Sequence, residues 1–390
     1  MTQTVMPDVV AVKQNEDFCS SCSICSTLCP YDALKKHPET GKIFLEIEKC
    51  QVCGLCYSTC PAKAIDTYYY DVNSLTSYLE KAKKKYASDT LVIMCRGSAP
   101  DFAQVGEMFG VKKFVPLSVP CVGRIPEEVL LKAIIMGMSK IYALACDEDY
   151  CRFQRGSAVT VRKVLALNLL LEQLGYGPEV ITLKQNSLKV KVNSDLCIAC
   201  ANCVFYCPYH AAKLEGQGVV SFDLTLCRGC GLCVAMCPAL ALDLENWEKD
   251  RISALVSKVA PKVKQPRIMV FRCQWAAFPS LDGNGNGPNI GVIDLPCASR
   301  VDIAHILQAF QNGADGVLVA ACAEDDCKQE KASGKAKHSV EKLKERLGQI
   351  GLQDRLHFCT VSPRYPEQFH KELEQFGQAI KGIAPKEGAK

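Results

Sequence analysis

The sequence predicts a mixed chain, α/β plus α+β, in which a small cysteine-rich domain and an open parallel-sheet α/β domain occur twice in tandem. Three observations predict it. Four short cysteine runs stand in two pairs, within 19–60 and 197–237. After each pair, short apolar stretches alternate with amphipathic stretches of helical length, the pattern of a parallel sheet covered by helices. The whole plan recurs once, about 177 residues on, which means tandem duplication and not a solenoid.

Every run reads Cys-x2-Cys-x2-Cys-x3-Cys-Pro. This is the ligand run of two-cluster bacterial ferredoxins, in which the fourth Cys serves the other cluster. Four [4Fe-4S] clusters are therefore expected. Their ligand sets are Cys19, Cys22, Cys25 with Cys60, and Cys50, Cys53, Cys56 with Cys29, then Cys197, Cys200, Cys203 with Cys237, and Cys227, Cys230, Cys233 with Cys207. With no signal peptide visible, tight CxxC spacing argues for metal ligation over disulfides and for a cytoplasmic location. No window approaches 18 uninterrupted apolar residues, so no transmembrane segment is expected. The formal charge of +4 counts each Cys as a neutral thiol. Ligating cysteines are thiolates, and oxidised cubanes of roughly −2 each make the loaded protein acidic. No basic patch interleaved with aromatics appears, so nucleic acid is not an expected partner.

In chain order, residues 9–12 read as a short strand leading into the first cysteine-rich unit, and 43–47 as a strand between its runs. Residues 71–87 read as an amphipathic helix with Leu75, Tyr78, Leu79 and Ala82 on one face. Strands at 91–94, 114–119 and 141–145 end at or beside Cys95, Cys121 and Cys146. Helices span about 126–138 and 157–174, and 180–183 is a fourth strand. In the second copy, 188–192 leads into the cysteine runs and 246–259 is the following helix. Strands at 268–271, 290–295 and 316–321 end at or beside Cys273, Cys297 and Cys322. Helices span about 301–311 and 335–347, and 356–360 is the last strand. The expected domains are 1–70, 71–184, 185–245 and 246–384, followed by a disordered tail at 385–390.

Sixteen of the 25 cysteines lie in the four runs. Eight others form matching sets: Cys95, Cys121, Cys146 and Cys151, then Cys273, Cys297, Cys322 and Cys327, spaced 26, 25 and 5 against 24, 25 and 5. Three of each set fall at the C-terminal ends of predicted parallel strands, the edge where open α/β sheets bind ligands. Buried structural Cys is the plain alternative. Four sulfurs at one sheet edge, twice, are better explained by a metal centre, and softness alone allows [2Fe-2S], [4Fe-4S] or zinc. Cys359 has no counterpart and reads as a core residue of the last strand.

A family resemblance narrows this. The stretches Arg272-Cys273-Gln274-Trp275, Leu295-Pro296-Cys297-Ala298-Ser299-Arg300-Val301-Asp302, His305-Ile306-Leu307-Gln308-Ala309-Phe310 and Gly313-Ala314-Asp315-Gly316-Val317-Leu318-Val319 resemble the delta subunit of methyl-viologen-reducing hydrogenase. The similarity covers about 268–361 and, more faintly through Val119-Pro120-Cys121-Val122-Gly123-Arg124, about 91–183. It implies a [2Fe-2S] cluster in each α/β domain and transfer of electrons between a hydrogenase or dehydrogenase and a flavin-containing partner. The ferredoxin units look like the cluster-bearing inserts of the flavin-carrying component of heterodisulfide reductase. Departures from the family pattern are Ser98 and Ala276 at its second Cys, Ala321 before Cys322, and Lys328 in place of a His.

Other features carry less. Asp282-Gly283-Asn284-Gly285-Asn286-Gly287 opens like an EF-hand loop but meets Ile293 where a bidentate Glu is required. His305 reads as a partly exposed helix residue near Cys297. Arg124 and Arg300, each three residues after a Cys, fit bonds to cluster sulfur, to a partner's carboxylates or to an ordinary loop ion pair. Lys81, Lys83, Lys84 and Lys85 make a basic helix end, favourable to the helix dipole.

The expected function is an electron-transfer subunit with four [4Fe-4S] and one or two [2Fe-2S] clusters and no catalytic site of its own. It would work in an anaerobic, multi-subunit complex with a hydrogenase or dehydrogenase and a flavoprotein of heterodisulfide-reductase type, electron bifurcation included. Two other classes are a component reducing a small thiol or sulfur substrate at a four-Cys site, and a redox-responsive adaptor. An open iron would mark the first, and zinc or disulfides the second.

Overall fold

The computed structural model describes residues 9–99, 101–214, 216, 218–279, 281, 287–327, 329 and 332–383. The chain divides into two compact units at Ser187 and Leu188. Each has the same two parts.

The cysteine-rich part of the first unit is two antiparallel strand pairs with two short helices between their ends. Val12–Gln14 pairs with Ile65–Thr67, and Leu34–Lys36 with Ile43–Leu45. The helices, Ile24–Leu28 and Leu55–Thr59, each begin inside a cysteine run. In the second unit the pairs are Val190–Val192 with Leu242–Leu244 and Ala212–Leu214 with Val220–Phe222. Its short helices are Asn202–Tyr206 and Leu232–Ala235.

The α/β part is a four-stranded parallel sheet. In the first unit Thr90–Cys95 lies between Val115–Val119 and Lys140–Ala145, with Ile181–Gln185 outermost. In the second, Ile268–Cys273 lies between Ile290–Leu295 and Gly316–Cys322, with Leu356–Val361 outermost. The order second–first–third–fourth reverses at the first strand, and such a switch point opens a crevice at the carboxyl edge. In the second unit the central strands are buried throughout, and in the first they are buried but for Thr90, Lys140 and Tyr142, since helices cover both faces.

The predicted fold class is the one observed. Differences lie at element ends, in the short helices and most strands of the cysteine lobes, where only 9–12, 43–47 and 188–192 were expected, and in two longer helices that sequence reasoning did not place. The first strand is Val12–Gln14, not 9–12, and the strand at 43–47 stops at Leu45 because Ile47–Lys49 turns into a 3₁₀ helix. The helix expected from 246 is Lys249–Val259: Asn246 is left-handed and Trp247 turns into the core, so Glu248 becomes the cap. The missed longer helices are Phe102–Phe109, capped by the Asp101 carboxylate, and Pro366–Ile383. The latter buries Phe369, Leu373, Phe376 and Ile380 along one stripe. The EF-hand-like residues 282–286, Lys328 and the tail at 385–390 lie outside the described residues.

The closing helix packs against the third strand at a glycine. A Cβ on Gly316 would lie 2.6 Å from Ile380, so backbone and side chain are in direct contact. Ile380→Ala is expected to cost about 2–5 kcal/mol through lost burial and a residual cavity. Ile383→Ala, at a residue 43% exposed, should cost less than about 0.5 kcal/mol. Both tryptophans, Trp247 and Trp275, lie in the second unit, so anaerobic denaturant titration by fluorescence checks the difference.

Candidate metal centres

The cysteine runs share one backbone device. The two residues flanking the second Cys are left-handed in all four: Ser21 and Ser23, Val52 and Gly54, Ala199 and Ala201, Gly229 and Gly231. The third residue after each last Cys is left-handed too: Asp32, Lys63, His210 and Leu240. Non-glycine residues pay about 1–2 kcal/mol each for this conformation. Strain repeated at equivalent positions marks a functional constraint. Here it curls each loop so that three thiols face one point.

In the second unit that point is a cavity. Cys197, Cys200, Cys203 and Cys237 line it together with Ile198, Leu214, Val220 and Leu242. Cys207, Cys227, Cys230 and Cys233 line a second space. The fourth Cys of each run thus stands with the other run's first three.

The thiols of the first unit group the same way. Burial raises Cys25 to about 11, and Cys60, Cys22 and Cys19 push it in the same direction. Burial also lifts Cys56 well above the usual thiol range, followed by the charges of Cys53, Cys50, Cys29 and Cys25. Cys233 repeats this with Cys230, Cys227, Cys207 and Cys203. Backbone N–H groups of Ala64 and Ala211 donate to Cys60 and Cys207 at 3.3 Å.

The other eight cysteines meet at the carboxyl edges of the two sheets. Cys273, Cys297, Cys322 and Cys327 line one cavity together with Trp275, Ala298, Ala321, Gln329 and Ser333. Cys322 and Cys273 sulfurs are 3.4 Å apart. Burial pushes Cys297 well up, the charges of Cys273 and Cys230 add to it, and the Ser299 hydroxyl, 3.2 Å from its sulfur, opposes it. In the first unit Cys121 bonds to Cys151, which lowers it; Cys95, burial and the charge of Cys53 outweigh that, leaving it well raised. Cys95 in turn bonds Cys121 and Cys146. Val122 N–H donates to Cys95 at 3.1 Å, and Ser157 N–H to Cys151 at 3.3 Å.

These donor sets fit iron–sulfur clusters. Thiols raised by burial and by one another cannot ionise together unless cations enter with them. Among the described residues, no three His, Cys, Asp or Glu side chains are gathered around a single ion. Four thiols lining one shared space suit an inorganic core held between them.

In each unit the sites follow one another. Cys56 feels Cys25, and Cys121 feels Cys53, while Cys233 feels Cys203 and Cys297 feels Cys230. The order runs from the outer ferredoxin set to the inner set to the sheet-edge set. Two arginines hold this arrangement. Arg124, fully buried, donates to Tyr69 O at 2.6 Å and lies 4.9 Å over the Tyr70 ring. Its side chain packs on Gly54, where a Cβ would be 2.9 Å away. Arg300, also fully buried, donates to Trp247 O at 2.8 Å and to the Asp243 carboxylate at 3.3 Å, and packs on Gly231. Both therefore tie the sheet edge to the inner cysteine loop and are closed to a partner's carboxylates.

His305 corrects its expectation. It is only 2% exposed, completes a capping box with Asp302, and its Nε2 faces Lys249 O at 3.2 Å. Burial, then the nearby Arg300 charge, lowers its pKa. Ser98 turns its hydroxyl to the carbonyls of Cys95 and Leu144. Lys83 donates to Met136 O, so the basic helix end is partly engaged within its own unit. Cys359 is buried on the outermost strand, its pKa pushed up to about 12 by burial.

Two units of parallel sheet, each with a paired cysteine lobe, define a class of duplicated iron–sulfur protein. The model of the family described as methyl-viologen-reducing hydrogenase, delta subunit, matches residues 91–193 and 268–384, over half of the chain, and the chain belongs to that family. A 4Fe-4S dicluster domain matches 11–61 and 189–238. The A component of ferredoxin:CoB-CoM heterodisulfide reductase of Methanosarcina mazei is 34% identical over 223 residues, 55% of this chain and 28% of that protein. The chain thus spans little more than a quarter of that relative's length. The iron-sulfur D component of the F420-non-reducing hydrogenase vhc of Methanococcus voltae is 29% identical over 127 residues, 31% of this chain and 88% of that protein. The corresponding iron-sulfur component from Archaeoglobus profundus is 28% identical, with 31% and 93% covered. No helix among the described residues is long and apolar enough to cross a membrane.

Replacing Arg300 by Met should destabilise the second unit by about 1–3 kcal/mol, because it leaves the Trp247 carbonyl without its donor, while Asp243 stays solvated and bonded to Lys249 N–H. Lys191→Met, at an exposed pair with Glu248, should cost less than about 1 kcal/mol. Anaerobic denaturant midpoints compare the two.

Proposed function

We propose that the chain is a multi-cluster electron-transfer subunit that relays electrons between a hydrogenase or dehydrogenase and a flavin-containing partner of heterodisulfide-reductase type. The observation that carries this reading is the succession, in both units, of three neighbouring four-cysteine sets. In this reading 1–70 and 185–245 are ferredoxin domains and 71–184 and 246–384 are the α/β domains. Four [4Fe-4S] clusters are held by the ferredoxin sets, with Cys60, Cys29, Cys237 and Cys207 crossing to the other run. Two [2Fe-2S] clusters are held by Cys95, Cys121, Cys146 and Cys151 and by Cys273, Cys297, Cys322 and Cys327.

When bound, such clusters supply one-electron oxidation and reduction. The chain's residues ligate, exclude water and donate hydrogen bonds to sulfur, and these set the potentials. Cys22 and Cys200 are exposed, so each outer set reaches the surface where a redox partner would exchange electrons. Cys53 and Cys230 hand the inner set on to the sheet edge. The names of the relatives support partners of hydrogenase and heterodisulfide reductase type.

Cys297→Ser is expected to abolish one [2Fe-2S] EPR signal in anaerobically reduced protein and to leave the [4Fe-4S] signals intact. Loss of all signals together would contradict a separate sheet-edge cluster and mark Cys297 as a folding residue.

A further inference from the structure

The duplicated sheet-edge sites differ in what surrounds their sulfurs. We propose that the two α/β clusters, whose presence rests on the reading above, are electronically unequal, with Gln329, Ser333 and Ser299 making the second the higher-potential acceptor.

Three donors carry the argument. Gln329 is 2% exposed and lines the cavity of Cys273, Cys297, Cys322 and Cys327. Its Oε1 accepts a 2.5 Å hydrogen bond from Tyr209, which fixes the amide, while its buried Nε2 has no protein partner. Ser333 lines the same cavity, and its buried hydroxyl also has no partner. Ser299 already donates to Cys297 sulfur at 3.2 Å. A buried donor without a partner costs about 1–3 kcal/mol. Two of them facing one four-thiol cavity are explained by acceptors that enter with the cluster, its sulfides and thiolates.

The first unit lacks all three. Phe153 stands where the second has Gln329, and Gly123 where it has Ser299. Ser157 matches Ser333, but its hydroxyl is spent on Cys146 O. Tyr31 matches Tyr209 and donates instead to Arg152 O at 3.3 Å. Backbone donors, such as Val122 N–H to Cys95, follow from the fold and not from side-chain identity. Lys163, a buried cation of the first unit, is paired with Glu127 and bonded to the carbonyls of Gly123 and Ile125, so its charge is largely offset.

The sign follows from charge. Reduction adds one electron to an already anionic cluster, and N–H or O–H donors at sulfur stabilise the reduced form more than the oxidised one. The second site therefore accepts an electron more readily than the first. Tyr209 also lines the space of Cys207, Cys227, Cys230 and Cys233, so the Tyr209–Gln329 bond joins the walls of two successive sites.

The test is an EPR-monitored redox titration of the full chain, with Cys297→Ser and Cys121→Ser assigning the two α/β signals. The signal lost in Cys297→Ser should titrate at a potential higher by at least tenfold in the one-electron equilibrium, about 59 mV. Gln329→Leu combined with Ser299→Gly should lower it and leave the other unmoved. Phe153→Gln should raise the first. Coincident potentials, or a second signal indifferent to Gln329→Leu with Ser299→Gly, would overturn the inequality while leaving the cluster reading standing. Absence of both α/β signals from the unmutated chain would overturn the cluster reading and this inference with it.

Discussion

A buried thiolate is tolerable only beside compensating positive charge, and this chain gathers twenty-four thiols in six places. Burial and mutual repulsion hold Cys56, Cys233 and Cys297 well above the range in which a thiol ionises, and the bond to Cys273 with burial does the same for Cys322. The cysteine loops add local strain, since both neighbours of each second Cys are left-handed. Ligation by iron removes the first cost and balances the second, so loading and folding of the small lobes become one process. Lobes whose only sheets are two-stranded pairs have little else to hold them.

The larger α/β parts supply the rigidity. The central strands of their parallel sheets are largely buried, and the switch in strand order opens the crevice at whose edge the strand-end cysteines lie. Arg124 and Arg300 couple the two kinds of domain within each unit. Their guanidiniums reach backbone carbonyls beyond the inner cysteine loop, and their stems lie against Gly54 and Gly231. Any side chain there would meet the arginine at less than 3.0 Å. The inner ferredoxin set is thus held against the sheet edge by packing as well as by covalent connection. Duplication kept this arrangement and varied the side chains around the sheet-edge sulfurs.

Much of this was legible in the sequence because cysteine spacing is a covalent record of coordination geometry. The strand ends at Cys95, Cys146, Cys273 and Cys322 followed from apolar runs stopping at those residues, and the repeat made each half a check on the other. Other features were less legible, for physical reasons. Pro366–Ile383 carries a clear apolar stripe but has no counterpart in the first repeat, so the duplication gave no cue to it. His305 looked exposed because its neighbours on the helix are mixed, whereas tertiary packing against Lys249 buries it. The role of Arg300 depends on Asp243 and Trp247, more than fifty residues earlier, and no local pattern encodes that meeting. Gln329 became meaningful only when Tyr209 was seen to fix its amide.

The central claim is that every four-cysteine set, at the sheet edges as in the ferredoxin lobes, holds an iron–sulfur cluster. Iron and acid-labile sulfide per chain in anaerobically purified protein test it most directly. Four cubanes and two [2Fe-2S] clusters predict about twenty irons with as many sulfides. About sixteen irons, with zinc or no metal at the sheet edges, would contradict it and leave a pair of ferredoxins on a docking scaffold.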